Sequence, residues 1–504
     1  MLFWPLTCTL NLNQYKGSAR ILFFSLAETG NTRFYQKQGE KSLKMKQWKL
    51  PAADSLTKGA VLPALIRFSL PYLLAVFLQQ LYGLADLFAA GMFNGADIVT
   101  AVSVGSQFMH MFTAVTIGLA AGVTVAVSRA AGAGEEKELE KAVNASFWVF
   151  GVYAVLMILL LFSLPDVILQ LVQVPQEAFE QARLYLLICF AGIPFIVAYN
   201  VISCIYRGRG DSITPLVFVA AACISNIALD FLFMGPFGMK AAGAALATVL
   251  GQILAVALAF AHMKKTRFVE RSALFARPSK KSVKALLEVG VPIAFQDGFI
   301  QIAFLIITAI GNSRGLTDAA AIGITEKIIS FLFLVPSSLS QSLSAMAGQN
   351  VGAGLYERAS RALWDAVFLC LGWSALMIVL CETAGSWLIG LFISDPAVIQ
   401  AGAVYLSSYI LDLMGVSFHF CLGTYFCVFH KSGLSFLQNF LSVVLFRIPL
   451  AWWASKAFPD TLFYMGLAAP AGSLFQALLC LFFYRKDHAL FCGKTRAEFQ
   501  EKTA

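Results

Sequence analysis

The sequence predicts an all-α integral membrane protein, with twelve transmembrane helices in two six-helix lobes related by a pseudo-two-fold axis along the membrane normal. Three observations predict it. The 504 residues are 59% apolar and 13% charged, with a mean hydropathy of +0.74, far more apolar surface than a soluble fold of this length needs to bury. Apolar runs of 20 or more residues recur along the whole chain, and each can cross about 30 Å of hydrocarbon as a helix. Two Gly-Ala-Gly triplets, 132–134 and 352–354, lie 220 residues apart. Each closes an apolar stretch that begins at a proline, Pro71 or Pro292. Each is followed by a charged helix start, Glu138-Leu-Glu-Lys-Ala142 or Glu357-Arg-Ala-Ser-Arg-Ala362.

The first half holds spans at roughly 62–92, 98–128, 142–164, 178–206, 213–235 and 241–263. The second holds spans at roughly 285–311, 318–348, 360–393, 398–429, 434–456 and 462–484. Kinks are expected at Pro71, Pro194, Pro292 and Pro336, where a backbone donor is missing. The expected organisation is a disordered extension over 1–54, an N-lobe over 55–263, a basic linker over 264–282, a C-lobe over 283–485 and a tail over 486–504. Met45, which opens the basic Met-Lys-Gln-Trp-Lys, is a candidate true start. Six spans per half is an even number, so both halves enter from one side, and the relating axis runs along the membrane normal rather than inverting the repeat. A weaker echo, Gly210 after the fourth span and Gly433 after the tenth, has a spacing of 223. Duplicated halves of this kind are a common architecture of secondary transporters.

Net charge is +9, and its placement orients the chain. Lys264, Lys265, Arg267, Arg271, Arg277, Lys280 and Lys281 lie between the sixth and seventh spans. Arg129, Lys137, Lys141, Arg207, Arg209, Arg358, Arg361, Lys431, Arg485 and Lys486 fall on the same side. The other side carries Lys240, Arg314 and Lys456, with Arg183 near the start of the fourth span. The excess of basic residues places that face, and both termini, in the cytoplasm. No aromatic interleaving accompanies the charge, which argues against nucleic acid as a partner. The ten cysteines are scattered without metal spacing and read as free core thiols.

Polar residues inside the spans carry the chemistry, because a carboxylate in hydrocarbon is paired, protonated or placed on an ion path. Asp86 lies in the first span. Asn226 and Asp230 lie in the fifth at i, i+4, on one face. Thr248 lies in the sixth, within a run of small residues. At 1.5 Å per residue, Asp86, Asp230 and Thr248 all sit roughly 10 Å inside the boundary opposite the basic face. Two carboxylates, a carboxamide oxygen and a hydroxyl form a hard-oxygen set suited to Na⁺. The same two carboxylates can instead share a proton, or the acids can simply bond backbone freed by kinks.

The chain resembles the MATE family of multidrug and toxic compound extrusion antiporters, in its bacterial branch. The segments that carry the resemblance are Gln79-Gln-Leu-Tyr-Gly-Leu-Ala-Asp86, Tyr206-Arg-Gly-Arg-Gly-Asp-Ser-Ile-Thr-Pro215, Ser225-Asn-Ile-Ala-Leu-Asp230, Gly243-Ala-Ala-Leu-Ala-Thr248 and Gln349-Asn-Val-Gly-Ala-Gly354. The likeness covers about 55–485. It implies that Asp86, Asn226, Asp230 and Thr248 form a cation site in the N-lobe, taking Na⁺ or H⁺, and that Pro71 is the hinge of the first helix. It further implies a small organic substrate, no cofactor beyond the coupling ion, no enzyme activity, and a monomer in the bacterial cytoplasmic membrane.

Some relatives carry a glutamate in the seventh helix and an aspartate in the tenth. Here Ile300 and Gln301 stand near the first position, Asp297 is the nearest acid, and Asp412 is off the expected spacing, so a second cation site in the C-lobe is not expected. Asp297, Glu326, Lys327 and Asp412 are candidates to line the cleft between the lobes. Carried across at 220–221, Asp86 maps onto Ile306 or Ile307, and at 223 Asn226 and Asp230 map near Pro449 and Trp453, which suggests a duplication kept in shape but not in chemistry. The alternative function is a flippase for lipid-linked saccharides, which would need several basic residues for a diphosphate. The membrane interior offers chiefly Lys327 and Arg447. An enzyme would need a convergent His/Asp/Glu or Ser/His group, and none of the five histidines is so placed.

Overall fold

The computed structural model describes residues 56–266, 277–487 and Phe491. The expected extension with Met45, the middle of the basic linker and most of the C-terminal tail lie outside the described residues. Within them the chain forms α1 (Val61–Phe93), α2 (Ala96–Ala133), α3 (Glu136–Phe162), α4 (Gln176–Ala191 and Ile193–Gly208), α5 (Ile213–Met234) and α6 (Lys240–Thr266). The second half forms α7 (Lys280–Asn312), α8 (Leu316–Leu332 and Leu334–Gly352), α9 (Tyr356–Gly390), α10 (Pro396–Tyr409 and Asp412–Val428), α11 (Ser432–Ala457) and α12 (Phe463–Lys486). Ten of these are long and apolar enough to cross a membrane as they stand. The bent pairs of α4 and α10 make twelve. Helices dominate because hydrocarbon offers no hydrogen bonds, so each span must satisfy its own backbone. A short helix, Pro165–Leu171, precedes α4.

Prolines account for some of the breaks. α4 bends by 50° at Gly192, with Pro194 in the first turn of its second part, and α8 breaks at Phe333, ahead of Pro336. α1 and α7 instead run through Pro71 and Pro292 without ending. α10 bends by 43° with no proline at the break. Just past the break, hydroxyls of neighbouring helices bond the first turn of the second part: Ser374 Oγ donates to Leu413 O at 3.0 Å, and Ser473 Oγ to Asp412 O at 3.4 Å.

Helices α1–α6 and α7–α12 form the two lobes, and the seam between them concentrates at the basic end. The C-terminal half of α2 packs on α7 through glycines: a Cβ on Gly122 would strike Leu286 and Gly290, and one on Gly290 would strike Leu119. The two Gly-Ala-Gly ends meet across the lobes. Gly132 lies against the backbone of Gln349, Gly352 against the backbone of Arg129, and Gly348 against Ser128. Hydrogen bonds repeat the same reciprocity. Gln349 Nε2 donates to Gly208 O at 2.9 Å, and Arg129 Nη1 donates to Val428 O at 3.1 Å. Arg129 and Gln349 differ by 220, as do Gly208 and Val428, so the two bonds are images of each other under the repeat. Small residues four apart let the helix backbones approach this closely. Gly134 and Gly354, at φ of 70° and 77°, then end α2 and α8 in left-handed conformations.

The strand of chain before α1 is tied to the same end. Leu56 N donates to Gln349 Oε1 at 3.2 Å, and Asn350 Nδ2 to Leu56 O at 3.2 Å. Arg358 donates to Gly59 O at 2.6 Å and to Lys58 O at 2.8 Å. A shared core joins the lobes here, with Leu65, Val125, Val289, Leu343 and Phe426 in one cluster. At the opposite end the C-lobe is clipped to itself: Arg314 pairs with Asp318 at 2.7 Å and donates to Ser455 O and Pro459 O at 2.8 Å.

Candidate functional site

The four polar residues singled out in the N-lobe come together between α1, α5 and α6. Each arrives by helix geometry. Asp86 lies fifteen residues beyond Pro71 on α1, Asn226 and Asp230 stack one turn apart on α5, and Thr248 stands in the small-residue start of α6. α6 approaches α5 closely at its glycines: a Cβ at Gly243 would be 3.0 Å from Phe233 Cβ, and one at Gly251 3.1 Å from Ala222 O. Thr248 Oγ1 donates to Asp86 Oδ2 at 3.3 Å, and Asn226 Nδ2 reaches Thr248 Oγ1 at 3.5 Å. The carboxylate of Asp86 also faces the side chains of Asn226 and Asp230.

Burial makes this cluster chemically demanding. Asp230 is 0% exposed, Asp86 2% and Asn226 3%. Asp86 Oδ1, Asn226 Oδ1 and both carboxylate oxygens of Asp230 find no hydrogen-bond donor among the described residues. Four unpartnered acceptor oxygens in one buried cluster fit a cation or a shared proton, since two facing carboxylates cannot both stay ionised and unpaired there. Among the described residues no three His, Cys, Asp or Glu side chains converge. The donors here are carboxylate, carboxamide and hydroxyl oxygens, a hard set that suits a hard cation or a proton.

The other candidates separate. Asp297 lies on α7 at the seam, where its Oδ2 fills the space left by Gly118 of α2: a Cβ there would be 2.5 Å away. Glu326 is half-buried on α8 beside Thr308 of α7. Lys327 is exposed and close enough to act on His110 of α2. Asp412 does not line an open surface. It is 0% exposed and held by Arg447, whose Nη2 lies 3.0 Å from Asp412 Oδ2. Sequence reasoning named both residues but did not join them; the signal was two opposite charges in neighbouring apolar spans, each otherwise too costly to bury. It also missed Arg129 and Gln349 as reciprocal bonds across the seam, although their 220-residue spacing matches that of the glycine triplets. The eight described cysteines are free and buried, as expected.

Comparison with known proteins places this architecture. The sequence profile of the MatE family matches twice, over residues 71–232 and 292–453, and both ends of the two segments differ by 221. The chain is 29% identical over 368 residues to the probable multidrug resistance protein YpnP of Bacillus subtilis (strain 168), covering 73% of this chain and 82% of that one. It is 25% identical over 429 residues to the FAD transporter of Shewanella oneidensis, covering 83% of this chain and 93% of that one. A solved structure described as MATE in the bent conformation superposes with a TM-score of 0.82 at 20% identity, covering 88% of this chain and 98% of that one. A twice-matched profile over most of both lobes, on a twelve-helix membrane fold, means that this chain is a multi-pass membrane protein of the MATE family.

Proposed function

We propose that the protein is a cation-coupled antiporter that exports drugs or other amphipathic organic compounds from the bacterial cytoplasm by alternating access. Its basic face and both termini lie in the cytoplasm. The gathering of Asp86, Asn226, Asp230 and Thr248 carries this reading. Na⁺ or H⁺ entering the cluster neutralises its carboxylates, and α1 responds by bending at Pro71, which already lacks a backbone donor. In this reading the structure is the state closed toward the cytoplasm, because the seam of Gly132, Gly352, Arg129 and Gln349 lies at the basic end. Export requires that cation and substrate prefer opposite states of that seam. The multidrug name of the Bacillus subtilis relative supports the cargo class.

The Shewanella oneidensis relative favours a second cargo, a flavin nucleotide, and one observation fits it: Lys327 is exposed on α8 and suits an anionic group. Dye efflux from everted vesicles, with and without Na⁺ at fixed pH, tests the primary reading. Ion-dependent efflux that disappears in Asp86→Asn supports it. Efflux of unchanged ion dependence in that variant removes Asp86 from the mechanism. Export of FAD but not dye from the same vesicles would select the second cargo.

A further inference from the structure

The family register sharpens how the two lobes compare. At 221, Asn226-Ile-Ala-Leu-Asp230 of α5 lies over Arg447-Ile-Pro-Leu-Ala451 of α11, and the Ile and Leu positions coincide. This corrects the expectation that Asn226 and Asp230 map near Pro449 and Trp453. The seam keeps a spacing of 220, and the step to 221 falls where α11 contains the π segment Val443–Arg447, a turn with one residue more than an α-helical one. The carboxamide that faces the N-lobe carboxylates is thus replaced in the C-lobe by a guanidinium.

That guanidinium is built into its place. The Arg447 side chain is 13% exposed and its partner Asp412 0%. Gly472 of α12 makes the room: a Cβ there would lie 2.7 Å from Arg447 Cγ and 2.7 Å from Ser442 Oγ. The Tyr409 side chain also lies against Arg447. Asp412 Oδ1 and Ser442 Oγ find no partner among the described residues. The N-lobe cluster brings two carboxylates and no basic side chain into contact. The C-lobe cluster brings one carboxylate and its own cation.

We propose that Arg447 is a tethered cation, permanently holding in the C-lobe the place that an exchangeable cation or proton takes in the N-lobe, and that Asp412 is a latent monovalent-cation site which the arginine blocks. The inference rests on the reading of the N-lobe cluster as the coupling site. A charge fixed to the chain cannot leave during a transport cycle, so the C-lobe contributes shape and the N-lobe alone contributes exchange. Stripped of Arg447, a fully buried Asp412 must take up Na⁺ or a proton.

The test measures ²²Na⁺ binding and proton uptake by the purified full-length chain. Asp86→Asn is expected to bind neither at the N-lobe site. Adding Arg447→Gln restores uptake of one or the other, adding Asp412→Asn to that pair removes it again, and Arg447→Lys, which keeps the charge, does not restore it. A folded Asp86→Asn/Arg447→Gln protein that takes up neither overturns the proposal. If Arg447→Gln does not fold, Asp412→Asn/Arg447→Gln with Asp86 intact decides. An unchanged number of cations bound per chain supports the proposal, and a lost one overturns it. Wild-type protein that binds no cation or proton at all would sink the N-lobe reading instead, while Arg447→Gln would still report on Asp412.

Discussion

Gly132 is the most sensitive point of the seam, and its replacement has a calculable effect. A Cβ at Gly132 would lie 2.6 Å from the carbonyl carbon of Gln349 and 2.7 Å from its Cα, whereas carbon atoms sit comfortably at about 3.5–4.0 Å. The partner is backbone inside a helix and cannot swing aside, so α2 and α8 must part by about 1 Å. Overpacking of this kind costs about 1–3 kcal/mol, and it acts only in the state where the seam is closed. Gly132→Ala is therefore expected to shift the balance away from the closed seam by about 5–150-fold. At Gly352 the corresponding distances to Arg129 are 2.9 and 3.0 Å, so Gly352→Ala moves the balance in the same direction by less. Gly134→Ala is the control. Its φ of 70° makes a side chain strained, but a Cβ there meets nothing within 4 Å, so it lowers stability without shifting the seam. Distances between spin labels at the basic ends of α2 and α8 read the populations in the full-length chain. An unchanged closed population in folded Gly132→Ala, or an equal shift in Gly134→Ala, would refute the steric argument.

Other consequences follow from the same geometry. Asp230→Asn, like Asp86→Asn, is expected to cut ion-driven efflux by about tenfold or more. Thr248→Val, which loses the 3.3 Å bond to Asp86 and the 3.5 Å bond from Asn226, weakens cation binding by about 1–2 kcal/mol, measured by titration. Arg447→Gln alone destabilises by up to about 3–5 kcal/mol, a loss that shrinks as Na⁺ or acid neutralises Asp412, whereas Asp412→Asn/Arg447→Gln stays near wild type in thermal unfolding. His430, in the turn between α10 and α11, is pushed below its ordinary value by burial first and then by the charge of Arg129, with Glu288 opposing. A base whose pKa falls on folding binds fewer protons folded than unfolded. Its stabilising contribution is therefore complete above the ordinary histidine value near 6.5 and is lost as pH falls below it. His430→Gln should flatten the fall in Tm between about pH 7 and about pH 5.

Much of the fold was legible because hydrocarbon leaves few options. The apolar runs mark all twelve spans, and the Gly-Ala-Gly spacing marks the duplication. The N-lobe cluster was also legible, since Asn226 and Asp230 share a helix face, and topology puts Asp86 and Thr248 at their depth. The break in α10 was not, because no proline stands at the bend. The Asp412–Arg447 pair was hidden for a related reason. Asp412 and Arg447 lie 35 residues apart on different helices, and no local pattern marks their contact. The seam could be inferred from the repeat only as symmetry. That Gly132 touches Gln349 while Gly352 touches Arg129 depends on how the lobes dock, which no local pattern encodes.

In the proposed cycle one buried cluster ties cation binding to substrate binding. The direct measurement is the affinity of purified protein for a fluorescent cationic dye as Na⁺ and pH are varied, with cation binding measured in turn as the dye is varied. Na⁺ or acidification is expected to weaken dye binding by the same factor by which dye weakens cation binding, and Asp86→Asn to abolish both effects. Dye affinity indifferent to Na⁺ and pH in the wild type, or a linkage that survives intact in Asp86→Asn, would contradict it.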